Sequence, residues 1–354
     1  MLDLQIKPFD PATARPTEWA ALNFVQNRLD DEFFRGEPEA AIAFTRADWS
    51  SVPPEEARHA WLAYDQASGD PLGLAVLYDQ NTEENQHMGW LDLYVLPARR
   101  RQGIGRRLLA AIAAAAEARQ RRLIIGWSAE TLPGGPELLT RIGARPGLAG
   151  HMNQLRLADV DPALLECWAA QAAERAADLE LRYLTGPYPE DEIEGFAVLA
   201  EAMNTAPRGD LEIEDEHKTA AQLRAREAQL AARGDERWAV YVRDPATGAP
   251  VAVTLVVWNP GKPHVVEQWG TMVLPAYRNR GLGRWIKAAM LQRILRERPQ
   301  ATVIRTGNAD VNAPMLNINH ALGFRPLVAW SNWQMETAQL AAYLARATTP
   351  ALAG

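Results

Sequence analysis

The sequence predicts an α+β protein within the broad α/β class, built from two similar units in tandem. Each unit is expected to be a mixed, mostly antiparallel, twisted sheet flanked by helices. Three observations carry that reading. The stretch "VLPARRRQGIGR" from Val95 returns as "VLPAYRNRGLGR" from Val273. A second landmark, "IGARPG" with Gly143, returns as "LGFRPL" with Gly323. Both landmarks therefore recur after about 180 residues, a period that means duplicated domains rather than a solenoid of small repeats. Finally, 354 residues exceed what a single hydrophobic core usually serves.

Each unit reads in the same order. An early helix comes first, "PTEWAALNFVQNRLDDEF" in one half and "EDEIEGFAVLAEAMN" in the other. Strand patterns follow: "HAWLAYDQ", "PLGLAVLYD" and "GWLDLYVLP", matched by "RWAVYVRD", "GAPVAVTLVVWN" and "HVVEQWGTMVLP". The first two of each set flank a Gly/Pro/Asp-rich turn, the mark of an antiparallel hairpin. The repeated glycine turn then opens a long helix. A short apolar strand ("LIIGWS", "ATVIRTGN"), a short helix ending at the Gly corner, and a closing strand ("HMNQLRLA", "WSNWQME") complete each unit. This division gives domains over 1–158 and 179–345, joined by a helical linker over 159–178. In the linker Asp161 is a candidate N-cap ahead of Pro162 at the first helical position. The tail "RATTPALAG" reads as a frayed end.

Bulk properties narrow the function classes. The formal net charge is −7, a poor footprint for general nucleic-acid binding. The single cysteine, Cys167, excludes an internal disulfide, and the six histidines show no metal-ligand spacing, so no metal is expected. The chain has no apolar run long enough to span a bilayer and starts without a signal-peptide pattern. A cytoplasmic protein with no nucleic-acid or membrane partner is the expectation, as a monomer or a homodimer.

The chemistry is expected where strand gives way to helix. Each repeated turn brings glycines, which let a ligand approach the backbone, to a helix N-terminus with unpaired N–H groups and flanking arginines. Such a corner seats a pyrophosphate. The spacing, Arg-x-x-Gly-x-Gly after antiparallel strands, is neither a dinucleotide fingerprint nor a P-loop.

At these residues the chain resembles the GNAT family of acyl-CoA-dependent N-acetyltransferases, in tandem form. The second half matches through "TMVLPAYRNRGLGRWIK" and "NAPMLNINHALGFRP"; the first half matches at its front end. The resemblance implies acetyl-CoA as cofactor. It implies pairing of the pantetheine arm with the backbone near Val273 and Leu274. Pyrophosphate contacts follow from Arg280, Gly281, Leu282, Gly283 and Arg284, with Arg278 at the motif's first position and Asn312 as a further cofactor contact. The first-half equivalents are Val95, Gln102, Gly103, Ile104, Gly105 and Arg106.

Many family members carry a Tyr on the last helix as general acid. Here that position holds Asn319 in the second half and Leu139 in the first, and the Asn312 position holds Leu132 in the first. The second half is therefore expected to be catalytic and the first degenerate. Glu267 is the candidate base, or else a solvated strand residue. The acid-rich run "GDLEIEDEH" over 209–217 reads either as an attractor for a cationic amine or as a solvated loop. The expected function is transfer of an acetyl group from acetyl-CoA to a small-molecule primary amine by direct attack in a ternary complex. The alternative is a non-catalytic CoA-binding or regulatory tandem module.

Overall fold

A computed structural model describes residues 3–346; the tail from 347 on lies outside them. In chain order the first half contributes β1 (Leu4–Phe9), α1 (Pro16–Phe34), α2 (Ile42–Ser50), β2 (Glu56–Asp65), β3 (Pro71–Gln80), β4 (Met88–Val95), α3 (Ile104–Ala118), β5 (Leu123–Ala129), α4 (Gly135–Ile142) and β6 (Arg145–Arg156). The second contributes α5 (Pro162–Arg175), β7 (Glu180–Thr185), α6 (Ile193–Ala200), α7 (Ala220–Arg233), β8 (Glu236–Arg243), β9 (Pro250–Trp258), β10 (Val265–Val273), α8 (Leu282–Glu297), β11 (Val303–Ala309), α9 (Ala313–Leu322), β12 (Arg325–Glu336) and α10 (Thr337–Arg346). The expected α+β architecture is present in both halves. Strands β1 and β7 and helix α10 add to it.

The compact units do not follow chain order. One takes residues up to Ala149, then Arg208–Glu214 and Val328 onward; the other takes Gly150–Pro207 and Asp215–Leu327. In the first unit the strands run β1-β2-β3-β4-β5-β12, and in the second β6-β11-β10-β9-β8-β7. The closing strands have been exchanged. β6 pairs antiparallel with β11 from Arg156↔Val303 to Gly150↔Ala309. β12 pairs antiparallel with β5 from Trp330↔Ala129 to Glu336↔Leu123. The physical reason is the duplication itself. Both halves offer the same unpaired edge and the same closing pattern, so either strand satisfies either edge.

The sheets are covered on both faces. In the first unit, one face of α3 (Leu108, Leu109, Ile112, Ala116) packs on Leu77, Leu91 and Ile124. Trp19, Leu22 and Val25 of α1 cover the other face with Phe9, Leu62 and Val76. In the second unit Ile286, Met290 and Ile294 of α8 recur at the spacing of one helix face and pack on Val240, Val256 and Ile304. Ile193 and Phe196 of α6 meet Tyr241, Val253 and Met272. Each fully buried Leu, Ile, Val, Phe or Met among these contributes about 1.5–3 kcal/mol.

Helix α5, read as a linker, is a packed element of the second unit. Asp161 caps it, accepting from the Ala163 N–H at 2.9 Å, and Leu165 and Trp168 are buried against α8's core. The acid-rich run is divided. Its part up to Glu214 is strapped into the first unit: Leu211 packs with Met88, Leu123 and Ile125. The Glu212 carboxylate meets Arg122 at 2.7 Å, and the Glu214 carboxylate accepts from the Asn85 N–H at 2.6 Å. These carboxylates anchor the strap while staying exposed to solvent.

Candidate active site

In the second unit β10 and β11 run parallel and paired only from Val265↔Val303 to Glu267↔Arg305, then part. Beyond that point β11 keeps its partner β6, and β10 keeps β9, with a register shift between Gln268 and Thr271. The shift is a β-bulge, which leaves a residue of the Trp269–Gly270 pair outside the ladder. The Leu274 N–H donates to the Val251 carbonyl at 2.9 Å, so its backbone is committed to the sheet. By antiparallel alternation Val273 and Thr271 direct their backbone groups to the edge that β11 has vacated. Arg278 donates from Nε to the Val273 carbonyl at 3.2 Å and from Nη2 to Thr205 Oγ1 at 2.9 Å. The first unit repeats this latch, with Arg100 Nε on the Val95 carbonyl at 3.0 Å.

The turn that follows is left-handed twice, at Asn279 (φ 66°) and Gly281 (φ 83°). That geometry aims successive N–H groups inward, and Gly281 caps α8 with no side chain bonded to its first turn. The N–H groups of Leu282 and Gly283 have no intrahelical carbonyl, whereas that of Arg284 reaches the Gly281 carbonyl at 3.1 Å. A Cβ on Gly281 would meet no atom within 4 Å, so space lies open above it. Arg280 bonds the Arg175 carbonyl at the end of α5 and pairs with Asp178, whose carboxyl it holds below the usual range. Arg284 lies over the Trp168 ring, 5.5 Å from its centroid. In the first unit Arg101 (φ 62°) and Gly103 (φ 82°) make the same turn, with Ile104 buried beneath it and Gly105 beside Val95. Gln102 is exposed, donating to the Ala98 carbonyl, and Arg106 donates to the Leu344 carbonyl at 3.4 Å.

Asn312 caps α9, accepting from the Met315 N–H at 3.4 Å. Asn319 is fully buried and donates from Nδ2 to Asn308 Oδ1 at 2.8 Å. Asn153, on β6, donates to that same oxygen at 3.3 Å. The side-chain oxygens of Asn153 and Asn319 have no partner among the described residues. Glu267 lies on the opposite face of the strand pair: it is exposed and accepts from the Trp269 indole at 3.3 Å. Gln268 turns inward, donating to Thr254 Oγ1 at 3.0 Å. The two candidate catalytic side chains therefore occupy different faces of the sheet.

The two units differ most where their parallel strands part. In the first unit the pairing of β4 with β5 ends at Leu91↔Gly126. The next residues bridge the gap, because Trp127 Nε1 donates to Asp92 Oδ1 at 2.6 Å. Burial pushes the Asp92 carboxyl up, against that bond and one from Tyr78. Phe33 packs edge-on to Trp127 with ring centroids 5.5 Å apart. In the second unit the register places Gly307 where Trp127 stands and the bulge where Asp92 stands. A Cβ on Gly307 would meet nothing within 4 Å. One splay is stitched shut by side chains, and the other is bare. Residue reading missed this difference, although Trp127 and Gly307 already align at the spacing of the Gly corners.

A parallel pair that splays above a left-handed glycine turn at a helix N-terminus defines an acyltransferase-type sheet built twice, with a bulge beside the splay in the second unit only. The chain belongs to the acetyltransferase (GNAT) family, whose profile matches residues 22–131 and again 197–324. The fold is similar to that of a tandem GNAT protein from the clavulanic acid biosynthesis pathway, solved without acetyl-CoA. That likeness has a TM-score of 0.73 at 24% identity and covers 95% of this chain and 99% of that one. A GCN5-related N-acetyltransferase from Sphaerobacter thermophilus is similar at TM-score 0.65 and 14% identity, covering 94% and 96% of the two chains. No curated protein matches the sequence. Among the described residues no helix is long and apolar enough to cross a membrane.

Proposed function

We propose that the chain is an acetyl-CoA-dependent N-acetyltransferase acting on a small-molecule primary amine in a ternary complex, with its chemistry in the second unit. The observation that carries the choice of unit is the bare splay at Gly307, set against the Trp127–Asp92 bridge in the first. Acetyl-CoA supplies the activated acyl thioester. The N–H groups at Gly281, Leu282 and Gly283 suit its pyrophosphate, and the open space over Gly281 leaves room for it. The backbone edge at Thr271 and Val273 suits an extended, amide-bearing arm. An N–H freed by the bulge donates to an acyl oxygen as negative charge develops there. Glu267, exposed beside Gly307 on the same face, takes the proton that the amine must lose. Asn312 and Arg278 hold the cofactor side of the cleft. The full burial of Asn319 suits a supporting role for its amide and also favours the second reading, a CoA-binding module without turnover.

Thiol release from acetyl-CoA across a panel of amines, polyamines and aminoglycosides tests the proposal. Release is expected with at least one amine. It should fall at least 100-fold in Gly281→Glu and Gly307→Trp and survive in Gly103→Glu. Loss in Gly103→Glu alone would move the chemistry to the first unit. Tight CoA binding with no release from any amine would establish the module reading.

A further inference from the structure

We propose that β7 is a dimerisation edge, at which two copies of the chain pair their β7 strands antiparallel about a two-fold axis through Tyr183. β7 ends the strand order of the second unit, as β1 ends that of the first. Each therefore presents a row of backbone N–H and C=O groups that no neighbouring strand takes. The two edges are duplicates of one another, yet only β1 is guarded. Nothing in acyl transfer depends on this edge.

The phase of each ladder tells which groups face outward. The Gly186 N–H donates to the Arg237 carbonyl at 3.1 Å, continuing the register in which Tyr183 lies opposite Val240. Alternation then turns the backbone groups of Glu180, Arg182 and Leu184 toward β8, and those of Leu181, Tyr183 and Thr185 away from it. In the first unit the Gln66 N–H donates to the Asp3 carbonyl at 2.7 Å, and Pro8 lies opposite Trp61. There the outward residues are Leu4, Ile6 and Pro8. Pro8 has no N–H to offer a further strand. Arg107 Nη1 already holds the Leu4 carbonyl at 2.8 Å. Matching turn bonds, Gly69 N–H to Asp65 O and Gly248 N–H to Asp244 O, align Trp61 with Val240. Tyr183 therefore stands where the first unit has Pro8. The second unit puts a residue with an outward N–H, and a side chain 52% exposed, in the place of the proline that blunts the first edge.

A second copy is the occupant that the strand itself specifies. In an antiparallel self-pairing an outward residue bonds only another outward residue, which leaves few registers. Centred on Tyr183, the pairing covers Leu181–Thr185 and sets Leu181 opposite the partner's Thr185. It also lays the two Tyr183 rings side by side, a favourable cross-strand pair. Centred on Arg182, it would set each guanidinium opposite its own copy, which is unfavourable. Centred on Leu184, it would overlap only Tyr183, Leu184 and Thr185. Arg182 and Glu180 pair with each other at 2.6 Å, so the edge carries cancelling charges rather than a like-charged guard.

The test is sedimentation velocity on the full chain up to about 200 µM, where a reversible dimer is expected with a Kd on the order of 1–100 µM, as suits a small interface. Tyr183→Pro removes only an outward N–H, and Tyr183→Lys sets two like charges face to face. Each should raise the Kd at least about 10-fold while keeping the parent's circular dichroism. Cross-linking reads the register in a Cys167→Ser background. Oxidation should join Tyr183→Cys to its copy, because hydrogen-bonded partners hold their Cα atoms about 5.5 Å apart. Arg182→Cys, which faces the partner's Leu184, should stay unlinked. If Tyr183→Pro fails to fold, the lysine variant and the cross-link decide the matter. A monomer at about 200 µM would overturn the proposal. So would a dimer indifferent to Tyr183→Lys, or cross-linking through Arg182→Cys in place of Tyr183→Cys. None of these readouts depends on turnover, so failure here is distinct from failure of the acyltransferase reading.

Discussion

Lys287 is a charged residue where its duplicate position is apolar. The helix turn "GRWIK" places it where "GRRLL" places Leu109, and both side chains are buried. Its ammonium lies over the Phe324 ring at 5.7 Å, and burial lowers its pKa to about 7. Below pH 7 both folded and unfolded chains hold the proton, and folding bears the whole cost of burying the charge. Between pH 7 and the unfolded value of about 10.4, the unfolded chain binds a proton that the folded one has released. Stability should therefore climb with pH across that window. Lys287→Leu is expected to gain roughly 2–4 kcal/mol at pH 7, a gain that shrinks toward zero near pH 10. Urea midpoints of both proteins at pH 7, 8.5 and 10 check this. A gap that is absent, or constant with pH, would show that the amine is not buried as described.

At the scale of elements, exchange of β6 and β12 has a direct consequence for dissection. A piece ending at residue 158 lacks the strand that covers β5, and a piece starting at 159 lacks the strand that covers β11. Neither 1–158 nor 159–345 is expected to give dispersed amide NMR spectra alone, whereas the two pieces expressed together should. A folded, monomeric 1–158 would count against the exchange. The strap over 208–214 is a second element to test. Gly209 has φ +58°, and a Cβ there would lie 2.1 Å from the Gly147 carbonyl oxygen. Gly209→Ala should cost about 2–4 kcal/mol and lower the melting temperature. An unchanged melting temperature would mean that the strap is dispensable.

Across the whole molecule, the sequence made the repeated plan legible because its signals are local. The glycine turns need left-handed backbone, and Gly143 and Gly323 are indeed left-handed caps, at φ 97° and 99°. Apolar periodicity marked α3 and α8, and Asp161-Pro162 marked the start of α5. The remainder rests on long-range choices that local patterns do not encode. Two nearly identical closing strands carry no label saying which edge each will cover. Likewise "GDLEIEDEH" reads the same in water as it does pinned to Arg122 and Asn85. In the candidate site the backbone seat was legible and the difference between the units was only half legible. Leu132 and Leu139, standing where the second half has Asn312 and Asn319, pointed to the second unit, but the Trp127–Asp92 bridge appears only once two strands are laid side by side.

The crossover also sets a schedule for synthesis. When Ala129 leaves the ribosome, the strand that will cover β5 has not been made, and it arrives only with Trp330 to Glu336. At usual elongation rates the nascent first unit waits on the order of ten to forty seconds with an open sheet edge. For that interval the local match "HMNQLRLA" is the nearest available cover, and a bare edge invites foreign strands. A provisional pairing of β6 with β5, later surrendered to β12, would shield the edge during translation.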